Sequence, residues 1–420
     1  MSQTLTIAII GSGPGGLSTA IALSALPFVD VTVYEKHPEP REAGAGISLS
    51  TNAWRVLNLL GASDHVRGGS KADTHHRNAY SGEILNVTAQ PEHSTEGKGA
   101  IRARRTRLQR ALLGRVPPGT IQFSKKVVFV EDLGVGVRIG FEDGTETVAD
   151  LVVGADGIHS IVRKTLFPAH RLQFTGNTAF RVLVPKARLV ERGLDDITRT
   201  TSWWWGRAGH LYFSDVDDEQ TEDPLFEITV RSYREPESSG AVPWGVPASN
   251  NKVKARVEEY DKRIQEAVDT VQDGEWHEFA TFAGPRLDRI TAWARVALIG
   301  DASHPLSGAF GSGATFAMED GWILARALEY THNVSGRQLQ DALAIFEEIR
   351  APYYARMYAN LDETRDQMQR FQENEADFDK VLRNKIDTFL YGDKDFIYKN
   401  DIKRVWEEYL QNRRQYIVRL

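Results

Sequence analysis

The residues that most constrain the chemistry are glycines. In AIIGSGPGGLSTAIAL, residues 8–23, Gly11, Gly13 and Gly16 stand in the G-x-G-x-x-G spacing. Ahead of them Leu5–Ile10 is a short apolar run rich in β-branched residues, which predicts a central parallel strand. Leu17–Leu26 reads as a helix of small and apolar residues, and Val29–Tyr34 as a second strand. In such a βαβ unit the first glycine permits a tight turn and the second lets a pyrophosphate approach the backbone. The third lets helix and strand pack closely. Free amides at the helix N-terminus then face the anion. Glu35 ends the second strand, where an acid can accept hydrogen bonds from an adenosine ribose and repel a 2′-phosphate. This unit predicts a bound dinucleotide and leaves NAD and FAD both open.

Two later segments bear on that choice. In DLVVGADGIHSIVR, residues 150–163, a strand runs into a turn at Gly154, Asp156 and Gly157, and a helix opens near Ser160. In RVALIGDASHPLSGAFGSGATFAMEDGWILARAL, residues 295–328, a strand ends at Gly300-Asp301. A loop carrying Gly308, Gly311 and Gly313 follows, then a long helix that reads as amphipathic in its later turns. A NAD dehydrogenase needs only the first loop. A second Gly-Asp turn so far along the chain suits a longer ligand, whose ribityl polyol can donate to Asp301. A helix starting near Ser312 aims its positive end at the loop, where an isoalloxazine N1–C2=O edge becomes anionic on reduction.

In order and spacing these three motifs resemble the FAD-dependent aromatic hydroxylases, the single-component flavoprotein monooxygenases, and within them the salicylate hydroxylase-like enzymes. AGAGISLSTNAWRVLNLLG (43–61) and RARRTRLQRAL (102–112) are similar to further segments of that family, so the resemblance spans roughly residues 4–365. It implies that Gly11, Gly13, Gly16 and Glu35 hold the ADP half of FAD and that Arg105 reaches the pyrophosphate or flavin. It implies that Asp156 lies near the cofactor and helps the nicotinamide nucleotide, and that Asp301 binds the ribityl–pyrophosphate. Gly308, Gly311 and Gly313 would cup the flavin. Gly308 stands where the family pattern has a proline, which loosens the loop wall.

The implied activity is an FAD- and NADH- or NADPH-dependent monooxygenase. It would hydroxylate a phenolic or aromatic acid with dioxygen through a C4a-hydroperoxyflavin, with loss of CO2 in the salicylate case. The alternative is an FAD enzyme of the same fold acting as epoxidase, oxidase or reductase on a secondary metabolite.

The implied fold is α/β: a Rossmann-like FAD-binding domain (1–72, 98–172 and 282–335) with an inserted antiparallel-sheet substrate domain (73–97 and 173–281). A C-terminal helical region, 336–420, follows. In the inserted sheet TSWWWGRAGHLYFSDV, residues 201–216, reads as a hairpin, flanked by strands at 178–185 and 225–235. Alternation puts Trp203 and Trp205 on one face of their strand, and His210 and Tyr212 on one face of theirs. If that face roofs the flavin, Arg181, His210 and Tyr212 are the residues that anchor a carboxylate or deprotonate a phenol.

Bulk properties narrow the function class. The 420 residues carry a net charge of −6 and no cysteine. Disulfides and thiolate chemistry are therefore excluded, and general affinity for nucleic acid is not expected. No apolar run approaches the ~18 residues of a membrane span, and the start of the chain does not read as a signal peptide, so cytoplasm is the expectation. Arg102, Arg104, Arg105, Arg107 and Arg110 read as a solvated helical face with one functional member. His304 reads as a structural histidine beside the cofactor, and His75–His76 not as a metal pair. The charged helices of 366–420 read as a dimer contact or a cap over the FAD domain, in a monomer or homodimer.

Overall fold

A computed structural model describes residues 4–40, 45–70, 73–89, 99–233, 244–306, 308, 310–334, 338–374, 377–390 and 394–418. Of the segments singled out above, residues 1–3, 41–44, 71–72, 90–98, 234–243, 307, 309, 335–337, 375–376, 391–393 and 419–420 lie outside the described residues.

A six-stranded sheet carries all three glycine motifs. Its order is Thr291–Ala292, Val296–Leu298, Leu151–Gly154, Leu5–Ile10, Val29–Tyr34 and Ile121–Gln122. Every pair is parallel except the edge pair of Thr291–Ala292 with Val296–Leu298. The strand Leu5–Ile10 sits in the middle and divides its side chains by alternation. Ile7 and Ile9 enter the core shared with the helices Pro14–Ser24 and Gly313–His332. Ala8 and Ile10 enter a second core under the meander Val127–Ala149.

The first helix starts at Pro14 rather than near Leu17. Gly13 is its N-cap, and the fixed φ of proline suits the first helical position. The Gly313–His332 helix differs from the amphipathic reading. Its residues from Thr315 to Leu328 are buried apart from Arg326. The long helix Leu339–Asn374 and the helix Ile402–Val418 cover the side that would otherwise face water.

The second large element is an eight-stranded sheet. Its order is Trp244–Ala248, Trp276–Ala283, Gln173–Pro185, Leu225–Tyr233, Gly209–Asp215, Thr201–Trp205, Thr74–Asn78 and Ile84–Thr88. It is not wholly antiparallel: Thr201–Trp205 pairs parallel with Thr74–Asn78. That strand arrives from a distant part of the chain, so no hairpin dictates its direction. One face of the sheet is apolar. Phe180, Val182, Val184, Leu211, Phe213, Ile228 and Val230 pack there with Val253, Ile264 and Val268 from the helices Asn250–Lys254 and Lys262–Asp269. The residues between them point to the other face, toward the glycine loops.

The C-terminal helices divide their work. Asp395–Tyr398 and Ile402–Val418 pack on the parallel-sheet domain, but Phe378–Leu390 does not. It lies against the strands Thr74–Asn78 and Ile84–Thr88, with Leu382 and Ile386 buried beside Leu85 and Trp205. Its apolar residues need that cover, so a cap over the FAD domain describes only the last two helices. Among the described residues no helix is long and apolar enough to cross a membrane.

Candidate active site

The three glycine turns all lie at the carboxyl ends of adjacent parallel strands, where open α/β sheets bind ligands. Backbone hydrogen bonds join them, Ala155 N–H to Ile10 O (2.9 Å) and Ile299 N–H to Gly154 O (3.0 Å), and tie the first to the strand Val29–Tyr34 through Gly11 N–H to Tyr34 O (2.8 Å). Close approach accounts for two of the glycines. A Cβ at Gly16 would stand 1.9 Å from Gly11 O, and one at Gly11, where φ is +102°, 2.6 Å from Ala155 O. Gly13 is different: a Cβ there would meet nothing within 4 Å. That open side leaves room for a pyrophosphate to approach the backbone.

Glu35 closes the loop from the second strand. Its Oε2 accepts from the Ser12 amide (2.9 Å) and hydroxyl (2.7 Å), and Oε1 from the His37 amide (3.0 Å). Asp156 braces the second turn. Its Oδ2 accepts from the amides of Ile161 (2.7 Å) and Val162 (3.3 Å) and so caps the helix Ile161–Leu166. Its buried Oδ1 has no hydrogen-bond partner, and burial pushes the carboxyl up.

Asp301 opens onto the cleft. Protein crowds its remaining sides and raises its carboxyl, while the guanidiniums of Arg105 and Arg163 pull it down. Gly313 begins the long helix beside it, with Asp301 Oδ1 3.8 Å from where a Cβ would stand. Gly311 also faces open space. An open glycine loop, an acid in the cleft and a helix start together fit a pyrophosphate, a polyol and a flavin edge, so the residues present suit FAD.

Sequence reading missed Arg163, which is fully buried and donates to the carbonyls of Asp301 (2.9 Å) and Ala302 (3.0 Å) and to Ile158 O. It also missed the acid network behind the loop. Asp320 accepts from the Gly300 amide (2.9 Å), Arg350 (2.6 Å) and Tyr354 (2.7 Å). Adjacent acids in a small-residue helix, facing an arginine in the next helix, were the available signal. His304 belongs with this network: it stacks on Tyr354 at 3.4 Å between ring centroids, and burial holds it neutral.

The arginine cluster is only in part a solvated face: Arg105 and Arg110 are exposed, but Arg102, Arg104 and Arg107 are half-buried. Ile101–Arg104 is a strand, and only Arg105 begins the helix. Arg102 pairs with the wholly buried Glu227 (2.7 and 2.8 Å) and lies over the Tyr212 ring. Arg104 and Arg107 converge on buried Asp217. The physical reason is that acids on the eight-stranded sheet must be neutralised when the two sheets close together.

The inner face of that sheet gathers the three proposed substrate residues. Tyr212 is opposite Trp203 and Thr229, and Arg181 is opposite Thr229 from the other side. His210 is opposite Trp205 and Arg231. Trp203 and Trp205 stack at 5.5 Å, and Phe389 from the C-terminal region packs on both. Burial, with Arg231 and Lys385 nearby, holds His210 neutral, and burial pushes the Tyr212 hydroxyl up. Arg181 is pulled down to about 9 by burial and by the charge of Arg231, and its Nε has no partner. His76 accepts from Trp205 Nε1 (3.2 Å). Among the described residues no group of three or more acids and histidines is placed to hold a metal.

Residues 4–360 match the family described as FAD binding domain. The chain belongs to that family. It is 32% identical over 352 residues to a 3-amino-4-hydroxybenzoate 2-monooxygenase of Streptomyces platensis, covering 82% of this chain and 84% of that one. It is 28% identical to a salicylate hydroxylase of Pseudomonas putida, covering 86% and 85%. A solved salicylate hydroxylase substrate complex shares the fold with a TM-score of 0.77, at 22% identity and over 96% and 98% of the two chains. The protein is thus a flavoprotein monooxygenase that takes FAD, as the glycine motifs implied.

Proposed function

We propose that this monooxygenase hydroxylates a phenolic or aromatic acid of the salicylate type, using NADH or NADPH. The observation that carries this reading is the inner sheet face, where Arg181, whose buried Nε has no partner and whose guanidinium lies over the Phe279 ring, shares a side with Trp203, Tyr212 and His210. A cation stripped of water and given no carboxylate of its own favours an anionic ligand.

Gly11, Gly13, Gly16, Glu35, Arg105 and Asp301 would hold FAD, with Gly308, Gly311 and Gly313 along its flavin. Asp156 serves the cofactor through the turn it braces. Bound there, FAD supplies the oxygen-transferring chemistry. The chain's own residues do three other things. Arg181 anchors the substrate carboxylate. His210, held neutral, presents a lone pair to the phenol proton, and the neighbouring cations favour the phenolate. Tyr212, held protonated, donates to the substrate. The tryptophans and Phe389 keep water away.

In balance, NAD(P)H gives two electrons, one oxygen atom of dioxygen enters the ring, and the other leaves as water. Attack at the carboxylate-bearing carbon would also release CO2. The division into an FAD domain (1–72, 98–172, 282–335), a substrate domain (73–97, 173–281) and a C-terminal region is part of this reading. So is a cytoplasmic monomer or homodimer. The test is a screen of substituted benzoates and phenols for NAD(P)H consumption under labelled dioxygen. One labelled oxygen in the product supports the reading, and turnover without oxygen in the product contradicts it.

A further inference from the structure

The short helix Asp395–Tyr398 lies beyond residue 360, where the family match ends, and it is docked on the parallel-sheet domain from several sides. Ile397 is wholly buried, and its carbonyl accepts from Asn52 Nδ2 (2.8 Å). The Phe396 carbonyl accepts from the Tyr353 hydroxyl (3.2 Å), and Asn400 Nδ2 donates to Glu319 Oε1 (2.9 Å). The helix is therefore a fixed platform. From it the Tyr398 hydroxyl donates to the main-chain carbonyl of Phe310 (3.2 Å), inside the third glycine loop.

That bond holds one peptide unit. The Phe310 carbonyl turns inward, toward an apolar cluster of Phe310, Phe316, Met357 and Ile397 on which Tyr398 packs. The N–H of the same peptide belongs to Gly311 and donates to Gly308 O (3.3 Å). Gly311 has a φ of +66°, and a Cβ there would meet nothing within 4 Å. Glycine has several backbone conformations open to it, so residue 311 does not itself keep this peptide from rotating. Rotation would carry the carbonyl oxygen out of the cluster, to the open side of the loop along which the flavin would run. The tyrosine opposes this by satisfying the carbonyl where it is. Burial pushes its hydroxyl up to about 12, so it stays a donor at every working pH.

We propose that Tyr398 is a positioning residue for the flavin: acting through the Phe310–Gly311 peptide, it keeps a carbonyl oxygen away from the flavin edge that becomes anionic on reduction. The inference rests on FAD lying along the Gly308–Gly313 loop and goes beyond that reading, because it gives a residue of the C-terminal region control over flavin reduction. Hydride from NAD(P)H, two electrons with one proton, converts FAD to the anion FADH⁻ and leaves NAD(P)⁺. A carbonyl oxygen facing the charged edge repels the reduced state and leaves the neutral oxidised state nearly untouched.

The test uses FAD-loaded full-length protein. The flavin midpoint potential is measured by reductive titration against a reference dye, and the affinity of the apoprotein for oxidised FAD by flavin fluorescence. Tyr398→Phe removes one hydroxyl. Tyr353→Phe is the control, since it removes a hydroxyl bonded to the same helix but not to the loop. Tyr398→Phe should bind oxidised FAD within about 2-fold of wild type, with a more negative potential equivalent to about 2- to 10-fold weaker relative binding of the reduced form. Tyr353→Phe should keep the wild-type potential. A wild-type potential in Tyr398→Phe overturns the proposal. So does an equal shift in Tyr353→Phe, which would mark a general loosening of the helix. A Tyr398→Phe protein that no longer folds, or no longer takes oxidised FAD, also overturns it, because the effect is confined to the reduced state. If the potential is unchanged while aromatic acids are still hydroxylated with one labelled oxygen, the role of Tyr398 falls and the proposed function stands.

Discussion

The guanidinium of Arg163 donates to the main-chain carbonyl of Asp301 at 2.9 Å, binding the second glycine turn to the third. Arg163 also holds the carbonyls of Ala302 and Ile158, so one buried side chain fixes the geometry of two loops at the carboxyl ends of the parallel strands. Arg163→Met leaves these carbonyls without their donor, at about 1–3 kcal/mol for each group left buried and unsatisfied. The expected outcome is a lower melting temperature and a reduced flavin-to-protein ratio. A variant that melts and binds FAD as wild type would show that the clamp is dispensable.

Asp301 itself offers a cleaner separation of binding from folding, because its side chain opens onto the cleft. Asp301→Ala should purify with less flavin and require more FAD for reconstitution, at a melting temperature of the apoprotein close to wild type. Flavin absorbance against protein concentration measures it.

The joint between the two sheets depends on Arg102 and Glu227, whose side chains are 11% and 0% exposed. Removing one member of a buried pair strands the other's charge and costs about 3–5 kcal/mol. Glu227→Gln should accordingly lose stability on that scale in denaturant unfolding. A loss below about 1 kcal/mol, typical of surface pairs, would mean that the pair is hydrated in solution.

Glu319 gives the fold a pH dependence. Burial pushes its carboxyl up to about 7, against the pull of Arg350 and the hydrogen bond from Asn400. The folded chain therefore holds this proton more tightly than the unfolded chain, whose glutamate titrates near ~4.3. Stability from this group is full at low pH and falls as pH rises through that window toward 7. Thermal melts at about pH 5 and about pH 8 should show a fall in wild type that is smaller in Glu319→Gln. Parallel falls in the two proteins would contradict it.

Phe389 covers Trp203 and Trp205 from a helix beyond residue 360, where the family match ends. Phe389→Ala opens the aromatic face to water. The expected outcome is a larger fraction of NAD(P)H consumption ending in hydrogen peroxide rather than hydroxylated product. Peroxide and product measured in one assay decide it.

The parallel sheet was legible because each glycine motif follows a run of buried β-branched residues, and the spacing reports the backbone turn directly. The inner face of the second sheet was legible to the extent that alternation in TSWWW and HLY sorts residues by side. Alternation shows which residues share a face but not what lies across from it. That is why Arg102, Arg104 and Arg107 read as solvated: their carboxylate partners are more than a hundred residues away. Arg231 was invisible for the same reason: its Nη2 would lie 2.9 Å from a Cβ at Gly308, a neighbour it meets only once the two sheets close. The parallel strand Thr74–Asn78 and the helix Phe378–Leu390 also join the second sheet through long-range packing, for which local pattern carries no signal.

The account rests on FAD running past the open face of Gly13, and that residue tests it. Gly13 has an ordinary φ of −69°, and an added Cβ would touch no protein atom within 4 Å. Gly13→Ala should melt as wild-type apoprotein does yet bind FAD far more weakly in a titration followed by flavin fluorescence. Wild-type affinity for FAD in a correctly folded Gly13→Ala protein would mean that the cofactor does not pass there.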